Sequence, residues 1–205
     1  MAREIVKKVK NAVLYSDGCI RIDNVRASYP HLDKAWAKNE SDRPKFSITG
    51  LAPKETHEEA KKLLVEEINK LLTSSKIGKL ASEHKFVRNG DDSGKEEAEG
   101  HWIIKASENP DRRPSCRTPR GTVMTPDEIA EKIYPGCWVN ILVRPWAQNN
   151  QHGKKINANL IAVQFVRDGE RFGEGSIDDE DVWDELDDAE GDGYDFGDEG
   201  GDDDL

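Results

Sequence analysis

Residues 137–167, CWVNILVRPWAQNNQHGKKINANLIAVQFVR, decide the fold. Val139, Ile141 and Val143 alternate with Trp138, Asn140, Leu142, Arg144 and Trp146, the two-residue period of a strand with one face on a core. The polar run AQNNQHGKK reads as a turn. Residues 156–167 then alternate again, with Ile161, Val163 and Phe165 on the more apolar face. Two consecutive strands joined by a polar turn predict an antiparallel pair.

Upstream, Thr125, Pro126 and Glu128 open a short helix by N-cap, first-turn proline and third-position carboxylate, and Pro135-Gly136 closes it. The segment 109–121, NPDRRPSCRTPRG, holds three prolines and four arginines, so it is a loop or an irregular edge. HWIIKAS (101–107) alternates as a strand after a polar loop at 87–100. A long helix is expected where Ala60, Leu63, Leu64, Ile68, Leu71 and Leu72 recur at helical spacing, with Thr56 and Glu59 placed as a capping box. KFSITGLAP (45–53) and residues 18–29 supply two more strands, and 31–44 is polar and irregular around Trp36. Five short strands with an inserted helix, no repeat and no strand–helix–strand rhythm predict a mainly β protein, a small mixed antiparallel barrel with decorations.

Charge divides the chain. Sixteen of its 41 acidic residues lie beyond Ser176, and all 30 lysines and arginines lie before it, so residues 1–176 carry +5. A folded body over 1–173 and an acidic, disordered segment over 174–205 are expected, because so few apolar groups cannot offset the entropy of ordering. Trp183, Leu186, Tyr194, Phe196 and Leu205 are its sparse apolar points, candidates for docking a partner. Three scattered cysteines with no C-x-x-C pair fit a reducing, intracellular setting. No run of 18 apolar residues suggests a membrane span.

Enzyme motifs fail one by one. Gly90 to Glu96 has the wrong spacing and too much negative charge for a phosphate loop. Ser82-x-x-Lys85 stands without its supporting motifs. The five histidines show no metal-ligand spacing, and the aspartate run lacks a calcium-loop pattern. No catalytic residue, metal or cofactor is expected.

A basic body bearing tryptophans on β elements does point somewhere. Flat rings stack on unpaired bases while arginine and lysine follow the phosphates. The stacking candidates are Trp36, Trp102, Trp138 and Trp146, with Tyr29 weaker. The phosphate candidates are Lys105, Arg112, Arg113, Arg117, Arg120, Arg144, Lys154 and Lys155. The acidic segment, with an r.m.s. reach of roughly 30 Å for 29 flexible residues, is expected to compete with nucleic acid for the same groove. An acidic-tailed chaperone or interaction module, a nuclease and an RNA binder are the rival readings, since stacking and phosphate contacts do not by themselves read a 2′-hydroxyl.

The order GCIRIDNVRASYPHLDKAW, GHWIIKAS with its Arg-rich sequel, YPGCWVNILVRPWAQ, INANLIAVQFVRDGERFG and an Asp-rich end resembles a tailed-phage family of single-stranded DNA-binding proteins. The resemblance implies an oligonucleotide/oligosaccharide-binding (OB) fold and protection of single strands during phage replication and recombination in the host cytoplasm. It also implies an acidic tail that contacts phage or host replication proteins, and leaves homo-oligomerisation open. Tails of better-known relatives end in an aromatic residue, whereas this one ends Asp-Asp-Asp-Leu205, which shifts docking towards Phe196 or Trp183.

Overall fold

The computed structural model describes residues 3–173. The docking points Trp183, Leu186, Tyr194, Phe196 and Leu205, and the acidic segment 174–205 as a whole, lie outside the described residues. In chain order the strands are β1 (Ile5–Val9), β2 (Ala12–Tyr15), β3 (Ile20–Trp36), β4 (Lys45–Pro53), β5 (Val87–Asn89), β6 (His101–Glu108), β7 (Ser115–Arg117), β8 (Trp138–Asn150) and β9 (Gly153–Arg167). The helices are α1 (Lys54–Ser74) and α2 (Pro126–Lys132).

Five strands close into a barrel. β3 pairs with β4 and with β8, β4 with β6, and β8 with β9, all antiparallel. A parallel contact between Ser107 of β6 and Asn159 of β9 completes the ring. Closure leaves no open edge within these five strands, which is how small all-β domains avoid edge-to-edge aggregation. This is an OB-type barrel, with a β1–β2 hairpin extending it beside β3 and short β5 and β7 added to β6 and β9.

The inward faces follow the alternation. Ile20 and Ile22 of β3, Ile48 of β4, Ile104 of β6 and Val139, Ile141 and Val143 of β8 are all buried. β9 departs from its expected phase: Ile156, Ala158, Leu160 and Val163 are buried, whereas Ile161 and Phe165 are half-buried. Val143 pairs with Leu160 and Leu142 with Ala162, so Ile161 is the extra residue of a bulge, and one extra residue moves the inward set to the other parity.

Helix α1 lays Ala60, Leu63, Leu64 and Ile68 on the barrel. Its start differs from the expected capping box. The helix begins at Lys54, the Thr56 hydroxyl lies 2.8 Å from His57 Nδ1, and the Glu59 carboxylate accepts the Lys10 backbone N–H. His57 is buried and kinks the first turn, its Nε2 lying 2.7 Å from the Asp23 carbonyl. In α2 the expected box forms in both directions between Thr125 and Glu128, with Pro126 in the first turn.

The β1–β2 hairpin was not expected from sequence, nor was β5 at the start of the expected loop 87–100, nor were three further features. β3 runs on through residues 30–36, register shifts near His31 carrying it past its polar stretch. Residues 147–150 and 153–155 belong to β8 and β9, so the polar stretch is the arm of a long hairpin that turns at Gln151-His152. The chain then returns over the barrel at 168–173, where Tyr134 donates its hydroxyl to Asp168 and Arg26 donates to the carbonyls of Gly136 and Glu170. Gly136, at φ 104°, is required there because a Cβ would lie 2.0 Å from the Glu170 carbonyl oxygen. Cys19, Cys116 and Cys137 are buried as free thiols. Among the described residues no helix is long and apolar enough to cross a membrane.

Candidate nucleic-acid interface

An open groove of about 1000 Å³ crosses one side of the barrel. Its floor follows a row set by strand register: His31 opposes Ser47, Ser47 opposes Ser107, and Ser107 opposes Asn159. Small and polar side chains along that row keep the floor low. Trp36 stands on β3 at one side, and Trp146 on β8 at the other.

Among the described residues the exposed tyrosines, tryptophans and phenylalanines are Tyr29, Trp36 and Trp146, at 54%, 47% and 40% of full exposure. All three line this groove. Such rings outside the core present stacking faces to a ligand. Trp36 is already stacked on one side by His31, ring centroids 4.5 Å apart and planes 8° apart, which leaves its other face as the open one. Burial pushes the His31 pKa below its ordinary value near 6.5, partly opposed by Asp33, so the imidazole is neutral at pH 7.

The electrostatics favour an anion. Lys38, Lys45, Lys85, Arg88, Lys95, Lys105 and Lys155 line the groove against two glutamates, Glu83 and Glu108, and Glu108 is buried, accepting the Asn109 backbone N–H at 2.8 Å. Lys105 has its pKa lowered chiefly by burial, with further pressure from Arg88 and Lys95, as expected where like charges gather without a counter-ion.

The candidates read from sequence are divided by this geometry. Tyr29, Trp36, Trp146, Lys105 and Lys155 meet in the groove. Lys154 does not line it, since neighbours on a strand point to opposite faces. Trp138 is eight residues from Trp146 on the same strand, roughly 26 Å away at ~3.3 Å per residue. Its half-buried indole has the guanidiniums of Arg167 and Arg26 at 4.3 and 5.4 Å from the ring centroid. Trp102 is half-buried, packed against the core with Lys54 and Lys61 each 4.8 Å from its ring centroid.

Arg144 contacts Asp17 at 3.4 Å, outside the groove lining. Burial works against the charge of Asp17, yet the Cys19 backbone N–H and Arg3 outweigh it and bring its pKa to about 2, so the partner stays anionic. None of Arg112, Arg113, Arg117 and Arg120 lines the groove. Arg113 lies over the Phe46 ring at 5.3 Å, and Arg117 of the edge strand β7 donates to the Gly121 carbonyl at 2.7 Å.

The groove also uses residues that sequence reasoning passed over. Lys85 and Arg88 flank buried Phe86 and Val87, an apolar pair that is a strand signal in hindsight. Lys38, Lys45 and Lys95 sit at strand ends or in loops with no local pattern to mark them, and the pairing of His31 with Trp36 depends on the irregular register of β3.

The sequence signature described as the Enterobacter phage Enc34 ssDNA-binding protein matches residues 19–193. The chain belongs to that family. The solved single-stranded DNA-binding protein of bacteriophage Enc34, in complex with ssDNA, is 45% identical to it, with a TM-score of 0.78 over 83% of this chain and 98% of that one. A second solved structure of the bacteriophage Enc34 single-stranded DNA-binding protein gives 44% identity and a TM-score of 0.76, covering 90% of this chain and 100% of that one. Putative protein p50 of Acyrthosiphon pisum secondary endosymbiont phage 1 is 27% identical over 180 residues, 83% of this chain and 95% of that protein. The single-stranded DNA-binding protein gp2.5 of bacteriophage T7 shares the fold, at 12% identity and a TM-score of 0.52 over 90% and 97% of the chains. The Enc34 family assignment therefore agrees with the OB-type barrel on sequence and on structure.

Proposed function

We propose that this member of the Enc34 family binds single-stranded DNA in the groove, largely without regard to sequence, and protects single strands during phage replication and recombination in the host cytoplasm. Tyr29, Trp36 and Trp146 stack bases there, and the seven lining cations hold the backbone. The observation that carries this reading is that the exposed aromatic rings of the described body open into one cation-rich channel. Only unpaired bases offer free faces to such rings. Trp102 and Trp138 take packing roles in this reading, and Arg112, Arg113, Arg117, Arg120, Arg144 and Lys154 at most add to the long-range field.

The acidic segment belongs to the same reading. Its 16 carboxylates and spaced apolar residues make residues 177–205 a polyanionic competitor for the groove and a docking segment for replication proteins. Intrinsic tryptophan fluorescence titrated with oligo-dT tests both parts, with oligo-rU as competitor. Saturable quenching is expected, with tighter binding at low salt once residues 177–205 are deleted. Absence of quenching by the truncated body would overturn the groove, and an unchanged affinity on deletion would overturn the competition.

A further inference from the structure

Beside the groove lies a second cavity of about 380 Å³, within the ~300–1,000 Å³ range of sites that enclose small ligands. Tyr29 lines both cavities. Its backbone is held at φ 46°, an uncommon conformation for a bulky residue that surrounding contacts must maintain. Lys95 Nζ donates to the Tyr29 hydroxyl at 3.1 Å and lies 4.2 Å from the ring centroid, while the hydroxyl donates to Glu97 Oε1 at 3.5 Å.

The second cavity has an apolar floor and a polar rim. Leu51, Ala98 and Ile103 form a small hydrophobic cluster beneath it. Asp92 and Glu97 line it, and among the described residues the side chain of each accepts one hydrogen bond, from Asn89 Nδ2 to Asp92 and from the Tyr29 hydroxyl to Glu97. A carboxylate offers about four acceptor positions, so both keep capacity for a donor from a ligand. Arg88, Lys95 and Lys105 stand on the wall shared with the groove, where Glu83 is the one carboxylate, and among the described residues none of the three cations forms an ion pair with a carboxylate. A flat apolar floor, acceptors at the rim and unpaired cations at the entrance together describe a nucleotide with its base inside and its phosphate at the threshold. Three cations outnumber Glu83 at the threshold, whereas Asp92 and Glu97 stand within the cavity alone and disfavour the reverse orientation, which would bring a phosphate beside them.

We infer that this cavity receives one amino-bearing base of the bound strand, cytosine, adenine or guanine in preference to thymine, turned out of the groove past Tyr29 with its phosphate on Arg88, Lys95 and Lys105. The inference rests on the single-stranded DNA reading and adds to it a point of base preference. The exocyclic amino group of cytosine, adenine or guanine donates to a carboxylate, whereas thymine has no amino group and presents a carbonyl oxygen where cytosine carries its own.

The test compares a short oligo-dT with the same oligonucleotide carrying one central dC, by fluorescence anisotropy on the full chain. The dC-containing strand is expected to bind about five-fold or more tightly, the lower end of what one good base-edge contact supplies. Ser82→Trp, at an exposed rim position, and Ala98→Met, from the floor, each fill the cavity and are expected to abolish the difference. Because Ser82 is exposed, its variant keeps the fold when Ala98→Met does not. Equal binding of both strands by the wild type, or a preference that persists in the folded Ser82→Trp protein, would overturn the pocket while leaving the groove intact. Failure of both strands to bind would overturn the groove reading and the pocket with it.

Discussion

Replacing Lys105 and Lys155 together by glutamine probes the electrostatic half of the groove most directly, because both side chains line it and neither is in the hydrophobic core. If each of the seven lining cations meets one phosphate, log affinity falls with log salt at about −4.9, from ~0.7 per phosphate on a single strand. Between 50 and 200 mM salt that slope costs about 900-fold in affinity. The double variant keeps five cations, so its slope becomes about −3.5 and the same interval costs only about 130-fold. Anisotropy titrations of a labelled oligo-dT across that range resolve the two slopes. Arg117→Gln with Arg120→Gln is the matched control, removing the same charge from residues outside the groove lining; its slope is expected to stay at the wild-type value. Equal flattening in both double variants would show that net charge, and not the groove, sets the response. No flattening in either would remove Lys105 and Lys155 from the phosphate track.

Other outcomes follow from the same geometry. Trp36→Ala and Trp146→Ala should each weaken oligo-dT binding by about 1–3 kcal/mol, whereas Trp102→Ala should leave affinity near wild type and lower thermal stability through lost packing; a reversed pattern in paired binding and melting measurements would refute the assignment. Affinity should rise as pH falls below the ordinary histidine range near 6.5, because His31, its pKa pushed down by burial, then takes up a proton and adds a cation beside Trp36. Asp33 faces it from its own strand, and Lys45, Lys38, Lys155 and Lys105 line the same groove; His31→Asn should reduce the rise, and an unaltered profile would contradict it. Stability should fall as pH drops through about 6.5, since burial depresses the folded-state pKa of His57 and the unfolded chain takes up the proton first. Denaturant melts of His57→Gln should show a flatter pH response over that window. Thr125→Ala should cost about 1 kcal/mol by opening the α2 capping box, readable as a shift in the denaturation midpoint without loss of DNA affinity.

Much of the barrel was legible from local pattern. Ile20 and Ile22, and Val139, Ile141 and Val143, alternate in sequence and are buried in the structure, because a strand with one face on a core imposes its period on the residues themselves. The apolar stripe of α1 and the Thr125–Glu128 box of α2 follow from equally short-range geometry. Legibility stopped where one extra residue changed the phase. The bulge at Ile161 moved Leu160 inward, and the irregular register of β3 brought His31 against Trp36.

The amino-acid order by itself determined the strand and helix segments, the separation of a basic body from an acidic end, and the family, since each depends on composition or on neighbours a few residues apart. Which aromatic rings and cations share a surface was decided only by the closed barrel. Trp36 and Trp146 line one groove while Trp102 is packed against the core and Trp138 has the guanidiniums of Arg26 and Arg167 near its ring. Lys155 faces that groove and Lys154 does not. A side chain is exposed or covered according to what packs on it from distant parts of the chain, and strand pairing across the barrel, which no local pattern encodes, settles that choice.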